Sequence, residues 1–100
     1  MFVQLVHCQV KPGAWPQVEA WLRRWQAAEA PSSVGYKGEY LLREQDDSRG
    51  CWFIALFENA EAAQRASASP ATSAYYHELL TVLEEEPTFI NTEVVHHYLL

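Results

Sequence analysis

The chain has 100 residues, of which 49% are hydrophobic and 13% aromatic, and its 13 acidic side chains against 7 basic ones give a formal net charge of −6. This composition predicts one ordered domain over residues 1–100 and excludes a disordered chain. Arg23-Arg24 is the largest basic cluster, so nothing supplies the positive stripe that nucleic acids or anionic membranes require. No stretch approaches the ~18 apolar residues of a membrane span, and we expect a cytoplasmic location.

The first predicted strand runs from about Phe2 to Val10 and is closed by Lys11-Pro12-Gly13, because proline cannot continue a strand ladder. A helix follows, with Pro16 in its first turn, where the missing N–H group costs little. Apolar side chains recur along this segment at helical spacing and predict an amphipathic surface helix that ends at Pro31-Ser32-Ser33; they are Val18, Trp21, Leu22, Trp25 and Ala28.

The second and third strands are predicted at about Tyr36–Glu44 and Cys51–Phe57. The polar loop between them, residues 45–50, is rich in turn-forming residues, so the two strands are expected to be antiparallel neighbours. All seven residues of the third strand are apolar. Since strand side chains alternate between faces, both faces of this strand are predicted to be covered.

Two helices and a last strand complete the chain. Asn59 can cap an alanine-rich second helix, and Ser69 can cap a third helix that has Pro70 at its first position. The run Glu84–Pro87 stops the third helix and is expected to be solvated, and a fourth strand follows over about Thr88–Tyr98.

The element order strand, helix, strand, strand, helix, strand predicts an α+β, ferredoxin-like fold with a four-stranded antiparallel sheet and helices on one face. The first strand would then lie between the third and fourth. Apolar side chains on the helix-free side of the sheet would form a large exposed patch in a single chain. We therefore expect a homodimer that buries this sheet face.

Two cysteines and three histidines are candidates for a disulfide or a metal site. Cys8 and Cys51 both fall inside predicted strands and are interpreted as small buried hydrophobes rather than a disulfide. His7 could approach His96 or His97 across the sheet, although only one of these two neighbours can share its face. No third ligand is evident, so no metal site is predicted, and His7 is interpreted as a core or interface residue.

Several segments resemble the antibiotic biosynthesis monooxygenase family of dimeric α+β barrels. They are the ending Val10-Lys11-Pro12-Gly13, the run Trp52–Phe57 followed by Glu58–Ala62, and Ser69-Pro70 with Ala74-Tyr75 a helical turn later. The resemblance extends over essentially the whole chain. It implies that two subunits together form a dimeric α+β barrel, with a ligand cavity between the sheet and the helices of each subunit.

The resemblance also bears on site residues one by one. Anthrone-oxidising members are similar in having an asparagine and a tryptophan where this chain has Phe53 and Phe57, and many members have a Pro-His pair where it has Pro70-Ala71. The haem-degrading branch has a strand-one asparagine, whose counterpart is Val6. That branch also has a helix-three histidine, and its counterpart is either His77 or the adjacent Tyr76.

The residues expected at the cavity are mainly aromatic. Tyr76 or His77 would act as a base, and Trp52 would donate a hydrogen bond from its indole. Alanines of the second helix could leave room for a flat ligand or could let that helix pack close to the sheet. The candidate ligand-binding residues are Trp21, Trp25, Tyr36, Phe53, Phe57 and Tyr75.

Three functions fit this pattern. The first is a cofactor-independent monooxygenase acting on a small aromatic or polyketide-like molecule, for which the resemblance implies no cofactor. The second is a non-catalytic dimeric barrel that binds a hydrophobic ligand, favoured by Phe53, Phe57 and Ala71 at family site positions. The third is a haem-binding or haem-degrading relative in which His77 would bind the iron.

Overall fold

Four strands and three α-helices make up the computed structural model, which describes all residues, 1–100. The predicted α+β class is confirmed. A short 3₁₀ turn at Ala30–Ser32 follows the first helix. In chain order the elements are β1 (Phe2–Gln9), α1 (Trp15–Ala28), β2 (Tyr36–Arg43), β3 (Gly50–Phe57), α2 (Ala60–Ala68), α3 (Pro70–Leu80) and β4 (Thr88–Glu93).

The four strands form one antiparallel sheet in the order β2-β3-β1-β4, which confirms that β1 lies between β3 and β4. On β3 the residues alternate between faces. Cys51, Phe53, Ala55 and Phe57 are buried on the side of the sheet that packs against the helices. Trp52, Ile54 and Leu56 point to the other side and are only half-buried in the single chain.

The predicted helix starts are confirmed by their capping contacts. The Asn59 side chain accepts a hydrogen bond from the Ala62 backbone N–H at 2.9 Å, and the Ser69 hydroxyl accepts one from the Thr72 N–H at 3.5 Å. Each cap satisfies an amide that has no partner inside its helix. Pro70 occupies the first turn of α3, where its missing N–H group is not needed.

The fourth strand is shorter than predicted, and the expected approach of His7 to His96 or His97 is wrong. In the register of β1 with β4, His7 lies opposite Thr88, whereas the far end of β4 lies opposite Phe2. Because β1 begins at Phe2, β4 has no strand to pair with beyond residue 93, and His96 and His97 follow its end. They are therefore at the opposite end of β1 from His7.

Two smaller predictions concern the third helix and the cysteines. The third helix ends at Leu80 rather than near Glu84, because the chain turns so that Leu83 can form a bridge with Val10. Cys8 and Cys51 lie directly opposite each other in β1 and β3 as free, fully buried thiols, which confirms their interpretation as buried hydrophobes. None of the helices combines the length and the apolar character that crossing a bilayer would require.

Candidate active site

A half-open cavity of about 420 Å³ lies between the sheet and the helices. All three helices and all four strands contribute to its wall. Gln4, Ser67, Thr72 and Ser73 add neutral polar groups. The aromatic part of the wall is formed by Trp21, Trp25, Tyr36, Phe53, Phe57, Tyr75, Tyr76 and Phe89.

The aromatic rings are held by contacts with one another. Tyr36 meets Trp25 and Phe57 edge to face, with ring centroids 5.1 and 5.7 Å apart. Trp21 meets Phe53 in the same way at 5.5 Å. The Trp21 indole also donates a hydrogen bond to the backbone carbonyl of Tyr75 at 2.7 Å, which ties α1 to α3. Edge-to-face contacts and a satisfied indole donor favour a fixed wall shape.

The alanines of α2 do both of the things predicted for them, since some let the helix pack close to the sheet and one leaves room in the cavity. Ala62 and Ala63 are buried against Ala55 and Phe57, so the helix approaches the sheet closely there. Ala66, one turn further along, borders the cavity. Small side chains therefore close the core at the start of α2 and leave space at its end.

One carboxylate, that of Glu39, lies in the cavity wall. It is the only acidic residue of the lining, and no Lys, Arg or His accompanies it. Glu39 accepts a hydrogen bond from the Tyr36 hydroxyl at 3.2 Å. A carboxylate in an apolar wall with one neutral donor and no ion-pair partner is unusual, because burial without a counter-charge disfavours the ionised form.

Burial raises the pKa of Glu39 to about 7, and the hydrogen bond from Tyr36 partly opposes this rise. Burial, together with the nearby Glu39 charge, raises the pKa of Tyr36 as well. The Tyr36 hydroxyl therefore keeps its proton and acts as a donor to Glu39. The Glu39 carboxyl group, in contrast, changes its ionisation near neutral pH.

A bulge in β2 places Tyr36 and Glu39 on the same side of the sheet. Tyr36 lies opposite Phe57 and Glu39 lies opposite Ala55, so β2 uses one residue more than β3 over this interval. Residues three apart on a regular strand face opposite ways, and the extra residue cancels this alternation. Gly38 has a φ of 140°, which favours glycine.

Glu39 is not among the cavity residues predicted from the sequence. The signal that could have found it is the glycine inside a predicted strand, since such a glycine often marks a bulge. The bulge then changes which side chains of β2 face the helices. An acidic residue directly after that glycine would have been a candidate for the cavity.

The three residues predicted for catalysis, Tyr76, His77 and Trp52, lie on different surfaces. Tyr76 lines the cavity, and its ring lies 5.9 Å from that of Phe89. His77, its neighbour, is exposed on α3, and its Nδ1 donates to the Ser73 carbonyl at 2.8 Å. Tyr76 rather than His77 is therefore the helix-three residue that a ligand in the cavity would meet. Burial raises the pKa of Tyr76 above its ordinary value.

Trp52 is not part of the cavity, because it lies on the helix-free side of β3. Its indole donates to Glu44 Oε1 at 3.2 Å, and His7 Nε2 contacts the same oxygen at 2.9 Å. The rings of His7 and Trp52 lie 4.5 Å apart. This polar group belongs to the helix-free face of the sheet. No three His, Cys, Asp or Glu side chains come together as a metal site.

All six predicted ligand-binding residues lie in the cavity wall: Trp21, Trp25, Tyr36, Phe53, Phe57 and Tyr75. Ala71 does not line it. The residues that sequence analysis did not name are mostly neutral and come from elements far apart in the chain, such as Gln4 on β1 and Phe89 on β4. Nothing in their local sequence distinguishes them.

The fold and its cavity define a ferredoxin-like α+β protein with an aromatic pocket beneath its helices. The family model for antibiotic biosynthesis monooxygenases matches residues 1–78, and the chain therefore belongs to this family. Among curated proteins, none matches the sequence.

Solved structures share the fold over nearly the whole chain. SnoaB from Streptomyces nogalater, described as a cofactor-independent oxygenase and solved as a mutant, is 23% identical with a TM-score of 0.79, and the match covers 96% of this chain and 95% of that one. Rv0793 from Mycobacterium tuberculosis is 12% identical with a TM-score of 0.80, covering 96% of both chains. A conserved protein from Methanosarcina mazei Go1 is 13% identical with a TM-score of 0.79, covering 92% and 91%.

Proposed function

We propose that this protein is a cofactor-independent monooxygenase that oxidises a small, flat, electron-rich hydroxyarene with molecular oxygen. The observation that carries the proposal is the aromatic cavity of about 420 Å³ with a single carboxylate in its wall. Its volume lies in the range of small-molecule sites, roughly 300–1,000 Å³. Membership of the monooxygenase family and similarity in fold to SnoaB, a cofactor-independent oxygenase, support the same reaction class.

The chemistry asks little of the protein. Once its hydroxyl group is ionised, an electron-rich hydroxyarene can give an electron to oxygen without a metal or flavin. The site must supply a base, a donor for the developing negative charge and an apolar environment that excludes water. The cavity offers edge-on aromatic walls for a flat ring, together with the side chains of Tyr75 and Tyr76.

The same proposal includes a homodimer formed through the helix-free face of the sheet. In the single chain Tyr40 and Leu42 on this face are 61% and 44% exposed. An apolar face of this size favours a protein–protein interface, and a two-fold pairing would bury it on both subunits. The apolar side chains of this face are Val3, Leu5, Tyr40, Leu42, Trp52, Ile54, Leu56 and Ile90.

Oxygen uptake with a panel of naphthols, hydroxyanthrones and quinols tests the function. We expect at least one compound to be oxidised, and Ala66→Phe to abolish uptake by filling the cavity that Ala66 borders. Ala74→Phe makes the same change at an exposed position of α3 and should leave uptake unaltered. Far-UV circular dichroism checks that both variants are folded.

The other functions are outcomes of this experiment. If panel members bind without oxygen consumption, the proposed monooxygenase activity is contradicted and a non-catalytic barrel that binds a hydrophobic ligand is supported. A Soret shift with hemin that disappears in His77→Ala would support the haem-binding alternative instead. Native mass spectrometry of the purified protein would test the dimer, since a mass near that of one 11.5 kDa chain contradicts it.

A further inference from the structure

We infer that Glu39 is the general base of the cavity and that Tyr36 is the residue that positions its carboxylate. This inference rests on the proposed function and specifies its substrate. The molecule must carry an ionisable hydroxyl group that reaches the β2 side of the cavity, where Glu39 lies. Hydrocarbons and fully alkylated ethers, which have no such proton, would be bound without reaction.

The bulge in β2 directs the Glu39 side chain into the cavity. Without the bulge, Glu39 and Tyr36 would face opposite sides of the sheet and could not share a hydrogen bond. The bulge depends on Gly38, whose φ of 140° is strained for other residues. Bulges recur beside active sites because they re-aim a side chain. Here the re-aimed group is the only acidic side chain of the cavity.

The Glu39 carboxylate has no ion-pair partner in the cavity wall. Its one side-chain hydrogen bond comes from Tyr36, and an amide in its place could accept the same bond. An ionised carboxylate in a half-buried apolar wall reduces stability, so its presence favours a functional role.

The groups around Glu39 include no Lys, Arg or His side chain. From β3 it faces Ala55, and α1 contributes Trp25 and the neutral Gln26 next to Tyr36. The remaining titratable groups of the wall are tyrosines, Tyr75 and Tyr76 on α3. No positive charge lowers the pKa of Glu39, which burial raises to about 7. A base is most effective when its pKa lies near the working pH.

The reaction can then be balanced. The Glu39 carboxylate takes the hydroxyl proton, and the resulting aryloxide gives one electron to oxygen, so that a superoxide and an aryloxyl radical combine to form a carbon–oxygen bond. The protonated Glu39 returns its proton to the peroxide. Glu39 then takes the remaining C–H proton from the carbon that carries the peroxide, and the O–O bond breaks to release hydroxide. The hydroxide takes this proton from Glu39 and leaves as water. One hydroxyarene and one O₂ thus yield one quinone and one water, and the carboxylate is regenerated.

The decisive variant is Glu39→Gln, which keeps the shape and the hydrogen bond from Tyr36 but removes the base. With dithranol, an oxygen-reactive hydroxyanthrone, as the probe, we expect kcat/KM from oxygen uptake to fall at least ~100-fold. Binding of dithranol under argon should change less than about threefold. In the unmodified protein kcat/KM should rise with pH through an inflection near 7, and Glu39→Gln should lack it.

Two further variants separate the roles. Tyr36→Phe removes the hydrogen bond that lowers the pKa of Glu39, so the inflection should move to higher pH while most of the maximal rate is kept. Glu61→Gln makes the same charge change at an exposed position of α2 and should alter neither rate nor profile.

The monooxygenase function and the assignment of Glu39 as its base can be contradicted separately. If the protein oxidises dithranol and Glu39→Gln retains both the rate and the inflection, then Glu39 is not the base and the monooxygenase remains. If the unmodified protein neither binds nor oxidises any hydroxyarene of the panel, the proposed function fails, and the assignment of Glu39 fails with it.

Discussion

The burial of Glu39 predicts that the protein is more stable with glutamine at this position above neutral pH. The pKa of this carboxyl group is about 7 in the folded state and 4.5 ordinarily. Between these values the folded protein retains a proton that the unfolded chain releases, so this group makes stability fall as pH rises from 4.5 to 7. Below pH 4.5 both states are protonated and the contribution vanishes. The loss continues as the pH passes through 7 and levels off above it, where Glu39 is ionised in both states.

The size of the effect follows from the shift in pKa. A rise from 4.5 to about 7 corresponds to roughly 3 kcal/mol, because one pKa unit is worth about 1.4 kcal/mol. Glu39 is half-buried, so screening by water reduces this value, and we expect about 1–3 kcal/mol. For a domain of this size, at about 4–8 °C per kcal/mol, the gain raises Tm by about 4–24 °C.

Urea unfolding of the original protein and Glu39→Gln, followed by tryptophan fluorescence at one protomer concentration, measures the difference. The two proteins should be close at pH 4.5 and should diverge progressively up to pH 8, with the variant more stable. Glu61→Gln, at an exposed position, provides the matched control and should show no such divergence. A Glu39→Gln variant that is equally or less stable at pH 8 would refute the reasoning.

Three other substitutions test the fold and the proposed dimer. Asn59→Ala removes the cap bond to the Ala62 N–H and should cost about 1 kcal/mol in urea unfolding. Gly35→Ala should cost more, at least ~1–3 kcal/mol in the same assay, because its φ is 86° and a Cβ would lie 2.6 Å from that of Ala62. Leu42→Glu places a charge on the helix-free face and should reduce the sedimentation mass to that of one 11.5 kDa chain.

Each of these has its own control. Ser69→Ala removes a longer cap bond, 3.5 Å, and should cost no more than Asn59→Ala. Gly13→Ala also has a positive φ, 74°, but no atom near its Cβ, so it should be the milder of the two glycine changes. Gln17→Glu adds a charge to the exposed side of α1 and should leave the mass unchanged. A Leu42→Glu protein with an unaltered dimeric mass would contradict an interface on the sheet face.

Local sequence was sufficient for most of the fold. A cap at Asn59, the pair Ser69-Pro70 and the turn-rich loop at 45–50 act within a few residues, so the helix starts and the hairpin could be predicted. The unbroken apolar run of β3 likewise required a covered strand. These signals depend on backbone geometry and on nearest neighbours in the chain.

The cavity was only partly predictable. The aromatic residues of its wall could be named because large apolar side chains on helix and strand faces must meet in a core. Trp52 could not be separated from Phe53 in this way, since an all-apolar strand does not reveal which of its faces the helices cover. Similarly, the choice between Tyr76 and His77 depends on the rotation of α3 about its axis, which packing against β4 and the sheet determines.

By itself, therefore, the sequence determined the order of the elements, the ferredoxin-like sheet and the aromatic character of the pocket. Only the tertiary structure decided which side chains share a face. The bulge at Gly38 brings Glu39 beside Tyr36, and the register of β4 separates His7 from His96 and His97. The physical reason is that strand pairing joins residues far apart in the chain, and a shift of one residue moves a side chain to the opposite face.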